Sequence, residues 1–234
     1  MIISTIKGRL GNAMFQISAG YALSRKLGVP FAINYKLSDW QGQHYKDTVF
    51  ANIDSTEEEG TPYHEPWFSY SKIPVTDGLR LEGYFQSSKY FAEYKEEIKN
   101  LFVLPEVPAP EKGTVGVHIR RGDYLGMTDI HPVCSDEWYR KAIESTGLQN
   151  VIACTEPADI PYVEGCGYKV NKGSELEDIV LLSKCDALVM SNSSYSWWAA
   201  FLGNHKKVIA PKEWFGPRGV QDFQDIYERE WIKQ

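Results

Sequence analysis

The chain has 234 residues, of which 43% are hydrophobic and 24% charged, and both fractions are ordinary for a soluble globular protein. These values exclude a collagen-like chain, a coiled coil and a largely disordered chain. The length is enough to bury a substantial core and fits one large domain or two small ones. The formal net charge is −6 and no basic block occurs, so we expect no nucleic-acid partner, although a local basic spot can still bind one phosphate group.

The first half of the chain opens with a β-turn-α-β pattern, which is typical of a Rossmann-like unit. The predicted elements, in chain order, are a strand over residues 2–6, a helix over 13–27, a strand over 31–34, a strand over 81–85 and a helix over 89–102. Residues 36–80 are polar and interrupted by prolines, so they predict loops with short helices.

Residues 104–113 contain three prolines within six residues and predict a linker. Beyond this linker, strands and helices alternate, which predicts a parallel sheet with helices on both faces. The predicted elements, in chain order, are strand 114–119, helix 136–145, strands 151–154 and 168–170, helix 175–184, strand 187–191, helix 194–202 and strand 208–210. The sequence therefore predicts an α/β fold of two Rossmann-like halves, residues 1–105 and 113–234.

The cysteines and the apolar segments bear on the location of the protein. Four cysteines are present and none belongs to a C-x-x-C pair, so we expect reduced thiols in a cytoplasmic protein. The N-terminus lacks the apolar stretch of a signal peptide. The longest apolar run, residues 197–202, is too short to span a bilayer, which predicts no stable membrane insertion.

Two adjacent arginines follow the first predicted strand of the second half. Residues 117–123 read Val-His-Ile-Arg-Arg-Gly-Asp, and ligands of open α/β sheets bind outside the carboxyl ends of strands. Arg120 and Arg121 are always charged and can each bind phosphate oxygens with two donors. A structural Arg–Asp pair at a turn explains the same residues. The Arg-Gly-Asp triplet is disfavoured as an adhesion motif because it follows a predicted buried strand.

Two further turns also join a predicted strand to a predicted helix. Residues 191–198 place Asn192, Ser193 and Ser194 where side chains cap a helix and free N–H groups bind anions; a simple helix cap explains them equally well. Residues 8–12 form a G-x-x-G-N turn that differs from the dinucleotide pattern G-x-G-x-x-G. The three turns together predict a common ligand cleft. The two tryptophans that follow Ser196 are better explained by core packing than by a sugar platform.

Together these segments resemble the α-1,2-fucosyltransferases of glycosyltransferase family 11. The segments that carry the resemblance occur in the family's order and span most of the chain: residues 8–16, 83–91, 118–124 and 191–200. Two departures lie in the half expected to hold the acceptor. Ala13 stands where the family usually has Gln, and residues 36–80 are shorter than in bacterial members. Both departures bear on the identity of the acceptor.

The resemblance implies a GT-B-like fold, with two Rossmann-like halves facing a central cleft, and inversion at the transferred sugar. It assigns GDP to the second half and the acceptor to the first. GDP-fucose is then the donor substrate, and a galactose-containing glycan, in particular a β-galactoside, is the acceptor. We expect no metal or other cofactor, because the chain contains no D-x-D pair and no Cys/His cluster at zinc-binding spacing.

The resemblance also implies roles for individual residues. Arg120 and Arg121 are expected at the diphosphate, and Glu156 at guanine. The full set of expected donor-binding residues is His118, Arg120, Arg121, Glu156, Asp178, Asn192, Ser193, Ser194, Arg9 and Gly11, and the expected catalytic residues are Arg120, Asn12 and Asp123. Asp178 is the weaker of the two acids. Arg9 and Asn12 are expected to approach the donor from the first half.

Breaking the fucose–phosphate bond leaves negative charge on GDP, which fixed cations and N–H dipoles stabilise. Arg120 shares a strand face with His118, so we expect it to be the direct phosphate ligand, while Arg121 assists or pairs with an acid. The base that activates the acceptor hydroxyl stays open among Asp39, Glu82 and Asp123. A loose, oxocarbenium-like path needs little help from a base.

Three alternatives accompany this interpretation. The first is a transferase that uses another nucleotide sugar on the same scaffold. The second is a non-catalytic relative that binds a glycan or a nucleotide, for which the alanine at position 13 is the main indication. The third, a dinucleotide-dependent oxidoreductase, is disfavoured because the glycine fingerprint G-x-G-x-x-G is absent.

Overall fold

The computed structural model describes all 234 residues and divides them into two compact units. The first unit contains Met1–Val103 and Asp222–Glu228, and the second contains Leu104–Gln221 and Arg229–Gln234. The return of residues 222–228 to the first unit was not predicted from the sequence. None of the helices combines the length and the apolar character needed to cross a bilayer.

The first unit is built on a four-stranded sheet. Its strands are β1 (Ile2–Ser4), β2 (Phe31–Ile33), β3 (Thr61–His64) and β4 (Leu79–Glu82), and its helices are α1 (Leu10–Leu27), α2 (Trp40–Gln43) and α3 (Lys95–Lys99). All pairs are parallel, and the strand order is β2-β1-β4-β3. The order reverses between β1 and β4, so the loops after these two strands flank the crevice where open parallel sheets bind ligands.

Helix α1 packs closely on this sheet and is buried along most of its length. It begins three residues before the predicted start and ends at Gly28, whose φ of 67° provides the left-handed C-cap. At Gly20 an added Cβ would lie 2.3 Å from Ser4 Oγ and 2.6 Å from a ring carbon of Phe31. The close approach of the helix to β1 and β2 therefore requires glycine at position 20.

The strands predicted over 2–6 and 81–85 are shorter or shifted, at Ile2–Ser4 and Leu79–Glu82, and two further predictions for the first unit are wrong. Residues 89–102 do not form one helix, because Phe91 and Tyr94 have non-helical backbone angles and α3 covers only five residues. The burial of Phe91, whose ring centroid lies 6.1 Å from that of Phe15, outweighs the helical propensity of this segment. Strand β3 was predicted as loop because it contains Pro62, which is tolerated here because β3 is an edge strand.

The second unit is built on a five-stranded sheet. Its strands are β5 (Thr114–Ile119), β6 (Asn150–Thr155), β7 (Ala187–Val189), β8 (Lys207–Ala210) and β9 (Ile232–Lys233), and its helices are α4 (Asp136–Thr146), α5 (Ile160–Gly165), α6 (Glu175–Ser183) and α7 (Ser194–Leu202). All pairs are parallel, in the order β6-β5-β7-β8-β9. Every residue of β5 is buried. The strand order reverses between β5 and β7.

The predictions for the second unit are closer to the structure. Strand β5 and helix α7 have the predicted bounds, and most of their apolar residues lie in the core. The predicted strand at 168–170 is reduced to one bridge between Val170 and Ala153. Strand β9 was missed because a two-residue, exposed edge strand leaves no periodic pattern. Trp197 and Trp198 are fully buried, which confirms their predicted role in core packing.

The packing of α1 generates a stability prediction. We expect Gly20→Ala to lower the free energy of unfolding by about 1–3 kcal/mol, because the new methyl group overpacks the contact with Ser4 and Phe31. The matched control is Gly165→Ala in α5, where an added Cβ meets no atom within 4 Å. Urea denaturation of both variants checks the prediction. Equal stabilities for the two variants would show that α1 can shift away from the sheet without cost.

Candidate active site

In each unit, a hydrogen bond joins the two chain segments that flank the reversal of strand order. In the second unit, His118 Nδ1 at the end of β5 lies 2.8 Å from the Oγ of Ser191, which follows β7. In the first unit, the Nε2 of Gln86, which follows β4, donates to Asn12 Oδ1 at 2.8 Å. The predicted residues around these two bonds therefore lie where open parallel sheets bind their ligands.

His118 is held inside the second unit. It is 6% exposed, its ring centroid lies 4.9 Å from that of Tyr195, and its carbonyl accepts a hydrogen bond from the Tyr139 hydroxyl. The bond to Ser191 connects it to the loop that precedes α7. These contacts indicate that His118 orients the ends of β5 and β7. Its predicted contact with the donor stays a prediction.

Arg120 directly follows β5 and is a buried cation with two carboxylate partners. Its Nη1 pairs with Glu156 and its Nη2 with Asp123, and its guanidinium lies 4.8 Å from the centroid of the Tyr124 ring. The register of the sheet explains the first pair: Ile119 lies opposite Thr155, so the residues that follow are neighbours. The structure thus brings together three residues that were predicted separately as donor-binding or catalytic.

Arg121 has a different environment. Its guanidinium carbon stacks 3.5 Å from the centroid of the Tyr162 ring, and its Nε lies 3.9 Å from Asp159 Oδ1. The Nε atom is buried and has no hydrogen-bond partner. Asp159 also accepts a hydrogen bond from the Gly122 N–H at 2.9 Å, so it fixes the turn between the two arginines and Asp123.

Asp159 and Tyr162 were not predicted from the sequence. The available signal was their position just after β6, the strand that pairs with β5, but neighbouring strands cannot be assigned without the sheet order. With Asp123 and Glu156, Asp159 brings the number of acids at the two arginines to three. Carboxylates therefore outnumber guanidinium groups in this cluster, and any anion that binds the arginines must compete with them.

The serine-rich segment after β7 forms the start of α7. Ser193 is the N-cap residue, and its side chain accepts a hydrogen bond from the Tyr195 N–H at 3.3 Å; Ser194 is the first residue of the helix. Asn192 donates through Nδ2 to the Trp214 carbonyl at 3.0 Å, while its Oδ1 is buried without a hydrogen-bond partner. This geometry combines a helix cap with a helix N-terminus able to receive an anion.

Asp178 lies on α6 and is 6% exposed. Its Oδ1 accepts a hydrogen bond from Asn171 Nδ2 at 2.6 Å, and the Cys154 thiol also contacts the carboxylate. Burial raises the pKa of Asp178 from 3.8 to about 6, and the two hydrogen bonds oppose this shift. None of these contacts connects Asp178 to Arg120 or to the carboxylates that pair with Arg120.

In the first unit, the turn after β1 is held from two sides. Gly8 has a φ of 77°, and its N–H donates to Asp39 Oδ2 at 2.6 Å. Gln16 accepts from the Lys7 N–H at 2.7 Å and donates to the Lys7 carbonyl at 3.0 Å. An added Cβ at Gly8 would lie 2.6 Å from Asn12 Nδ2, so the turn places its backbone directly against the Asn12 amide.

The other predicted residues of this turn differ in exposure. Gly11 is buried at the start of α1, whereas Arg9 is exposed and occupies the N-cap position without a capping side chain. Ala13 is fully buried, so the departure from the family at this position lies in the packing of α1 on its neighbours.

The three candidate bases all have hydrogen-bond or ion-pair partners within their own unit. Asp39 accepts hydrogen bonds from Gly8 and Gly42, Glu82 accepts two from Arg80, and Asp123 pairs with Arg120. The structure contains no group of three or more His, Cys, Asp or Glu side chains that is placed to hold a metal ion.

Comparisons with known proteins agree on the family and the fold. The model of the family described as "Glycosyl transferase family 11" matches residues 25–234. The solved structure of NodZ α-1,6-fucosyltransferase soaked with GDP-fucose superposes with a TM-score of 0.54 at 12% identity, covering 86% of this chain and 92% of that one. This likeness confirms the predicted α/β, GT-B-like fold class.

Two curated relatives are similar over most of the chain. An alpha-1,2-colitosyltransferase of Escherichia coli is 25% identical, over 100% of this chain and 98% of its own length. The galactoside alpha-(1,2)-fucosyltransferase 2 of Hylobates lar is 27% identical, over 83% of this chain and 67% of its own length. Both relatives are glycosyltransferases named for an α-1,2 linkage.

The buried carboxyl of Asp178 generates a pH prediction. The unfolded chain releases this proton near pH 3.8 and the folded chain near pH 6, so the stabilising contribution is complete below about pH 4 and is lost as the pH rises to about 6. We expect wild type to lose about 2–3 kcal/mol relative to Asp178→Asn between pH 4 and pH 7. Urea denaturation across this range measures the difference, with Glu144→Gln on the exposed side of α4 as the control. Parallel pH profiles for wild type and Asp178→Asn would contradict the prediction.

Proposed function

The chain belongs to glycosyl transferase family 11, and we propose that it transfers fucose from GDP-fucose to a hydroxyl of a galactoside glycan, forming an α-1,2 linkage with inversion. One observation carries this choice of reaction. Two arginines leave β5 beside the N-terminus of α7, at the reversal of strand order in the second sheet. This position suits an anionic leaving group, because fixed cations and helix N–H groups converge on it.

In the proposed complex, the diphosphate of GDP binds between Arg120 and the start of α7. Arg120 has five N–H donors, and Glu156 and Asp123 each take one through Nη1 and Nη2. The guanidinium therefore keeps donors for phosphate oxygens. Glu156 is 26% exposed at its side chain, and in this proposal it exchanges Arg120 for the N–H groups of guanine when the donor binds.

The reaction develops negative charge on the phosphate oxygen that leaves fucose. Arg120 stabilises this charge directly, and Arg121, clamped on Tyr162, assists. Ser193 and Ser194 contribute from the first turn of α7. Charge stabilisation by fixed groups needs no reorganisation as the bond breaks, so it lowers the barrier. We propose that the guanidinium groups supply the positive charge and that transfer is independent of a metal ion.

The first unit takes the acceptor in this proposal. Asn12, held by Gln86, contacts the donor sugar or the attacking hydroxyl from the crevice between β1 and β4. Inversion requires the acceptor hydroxyl to attack from the face opposite the diphosphate. Because the three candidate bases are already engaged by protein groups, we propose a loose, oxocarbenium-like path in which proton removal is late and the base contributes little.

A second donor is favoured by a specific observation. The relative that matches the whole chain is named a colitosyltransferase, and colitose is the 3-deoxy counterpart of fucose. A site that hydrogen-bonds the 3-hydroxyl of fucose rejects colitose, whereas a site without such a partner accepts both. Donor competition therefore distinguishes the two candidates.

A cytoplasmic location is part of the proposal and is supported by four cysteines that are all free thiols.

The proposed activity is tested by GDP release. We expect release from GDP-fucose only when a β-galactoside acceptor is present, with the product carrying fucose on the 2-hydroxyl of galactose. UDP-galactose and GDP-mannose serve as donor controls. GDP alone should raise the melting temperature through binding to the folded state. Binding of GDP without turnover on any acceptor would favour the non-catalytic alternative, and preference for the colitosyl donor would favour the second candidate.

The role of Arg120 gives a sharper expectation. Arg120→Lys should lower kcat by about 10²–10³-fold, because lysine cannot make a planar two-pronged contact with the diphosphate. Arg121→Lys should cost less, and EDTA should leave wild-type turnover unchanged. The control is Arg218→Lys, at a side chain that is 76% exposed in the same unit. Complete loss of activity with EDTA, or near-normal rates for both lysine variants at positions 120 and 121, would reject the arginine-based mechanism.

A further inference from the structure

The segment after β4 contains a strained residue beside the candidate site of the first unit. Phe85 is the one non-glycine residue with a positive φ, 51°, and it is fully buried. A bulky residue in this region is strained and persists only where the surroundings hold it. The segment belongs to residues 83–91, which resemble the family but have no part in the proposed donor site.

The carboxylate of Glu65 holds this backbone in place. Glu65 follows β3, and its Oε2 accepts hydrogen bonds from the N–H groups of Tyr84 at 2.7 Å and Phe85 at 3.0 Å. Its Oε1 lies 3.0 Å from the same Phe85 nitrogen and accepts from the Tyr90 hydroxyl at 3.2 Å. An added Cβ at Gly83 would lie 2.3 Å from Glu65 Cβ, so the approach of the two chain segments requires glycine there.

The backbone geometry at Phe85 determines where the next residue, Gln86, directs its side chain. Gln86 is 6% exposed, and its amide donates to Asn12 Oδ1 at 2.8 Å. On its other side, the Asn12 amide faces the backbone of Gly8. Glu65 therefore contacts the backbone one residue before the side chain that orients Asn12.

We propose that Glu65 is a positioning residue for transfer: it stabilises the left-handed backbone at Phe85, which directs Gln86 onto Asn12 and sets the orientation of the Asn12 amide in the acceptor-side crevice. The inference rests on the proposed function, because Asn12 is the group through which Glu65 acts. A carboxylate suits this task, since both of its oxygens accept hydrogen bonds and bonds to an ionised acceptor are strong. Glutamine at position 65 offers one acceptor oxygen and turns an NH2 group toward a backbone donor.

A double-mutant cycle tests whether Glu65 acts through Asn12. We expect Glu65→Gln to lower kcat by about 10–100-fold, because a small misplacement of a reacting group has effects of this size. Its affinity for GDP should stay unchanged, since GDP is assigned to the other unit. In the Asn12→Ala background, adding Glu65→Gln should lower kcat by less than about 3-fold, because coupled residues are not additive. The control Glu57→Gln, at an exposed side chain of the same unit, should keep wild-type kcat.

A second variant protects the test against a folding defect. Gln86→Leu keeps the volume and the Glu65 contacts but removes the donor to Asn12, so it should reproduce the kcat loss and the same non-additivity. If Glu65→Gln does not fold, the cycle is repeated with Glu65→Asp, which keeps two acceptor oxygens on a shorter side chain and should show the same non-additivity with Asn12→Ala. Multiplicative losses in the cycle, or a Glu65→Gln variant with normal kcat, would overturn the positioning role while the proposed function stands. Failure of wild type to transfer any sugar would instead overturn the proposed function and the inference with it.

Discussion

The parallel pairing of β5 with both β6 and β7 is the constraint on which the candidate donor site depends. Because β5 lies between these strands and is buried throughout, the residues that follow it emerge among the carboxyl ends of two neighbours. The register with β6 brings Glu156 to Arg120, and the pairing with β7 brings Ser191 to His118. Breaking this register would separate the arginines from the start of α7, so the site and the sheet form together.

The ion pairs of Arg120 follow from its burial. A guanidinium group that is largely removed from water is stable only when acids or other acceptors compensate its charge. Glu156 and Asp123 provide that compensation in the structure, and a diphosphate provides it in the proposed complex. In the proposed complex, guanine recognition and phosphate binding are interdependent, because Glu156 is proposed to take part in both.

The first unit has the same arrangement of strands, without a cluster of arginines. Its reversal of strand order is bridged by an amide–amide hydrogen bond, and the supporting contacts are mostly from side chains to backbone: Gln16 to Lys7, Asp39 to Gly8 and Glu65 to Phe85. Such contacts position a turn without adding net positive charge. This fits a half that is proposed to receive a neutral glycan, whereas the second unit concentrates charge where a diphosphate is proposed to bind.

Several features of the protein were determined by the sequence alone. The alternation of strands and helices, the turns at residues 8–12, 118–124 and 191–200 and their order along the chain were sufficient to predict the α/β class and the family. Strand β5 and helix α7 were predicted with their bounds, because a continuous apolar strand and an apolar helix with a serine cap are local patterns.

The tertiary structure decided what depends on long-range contacts. Three sets of contacts join residues far apart in the chain: Arg120 with Glu156, Arg121 with Asp159 and Tyr162, and Glu65 with Asn12 through Gln86. The proximity of these residues follows from the strand order, which local periodicity does not encode. The break at Phe91 and the edge strand with Pro62 were missed for the same reason, since burial against partners outweighed local propensity there.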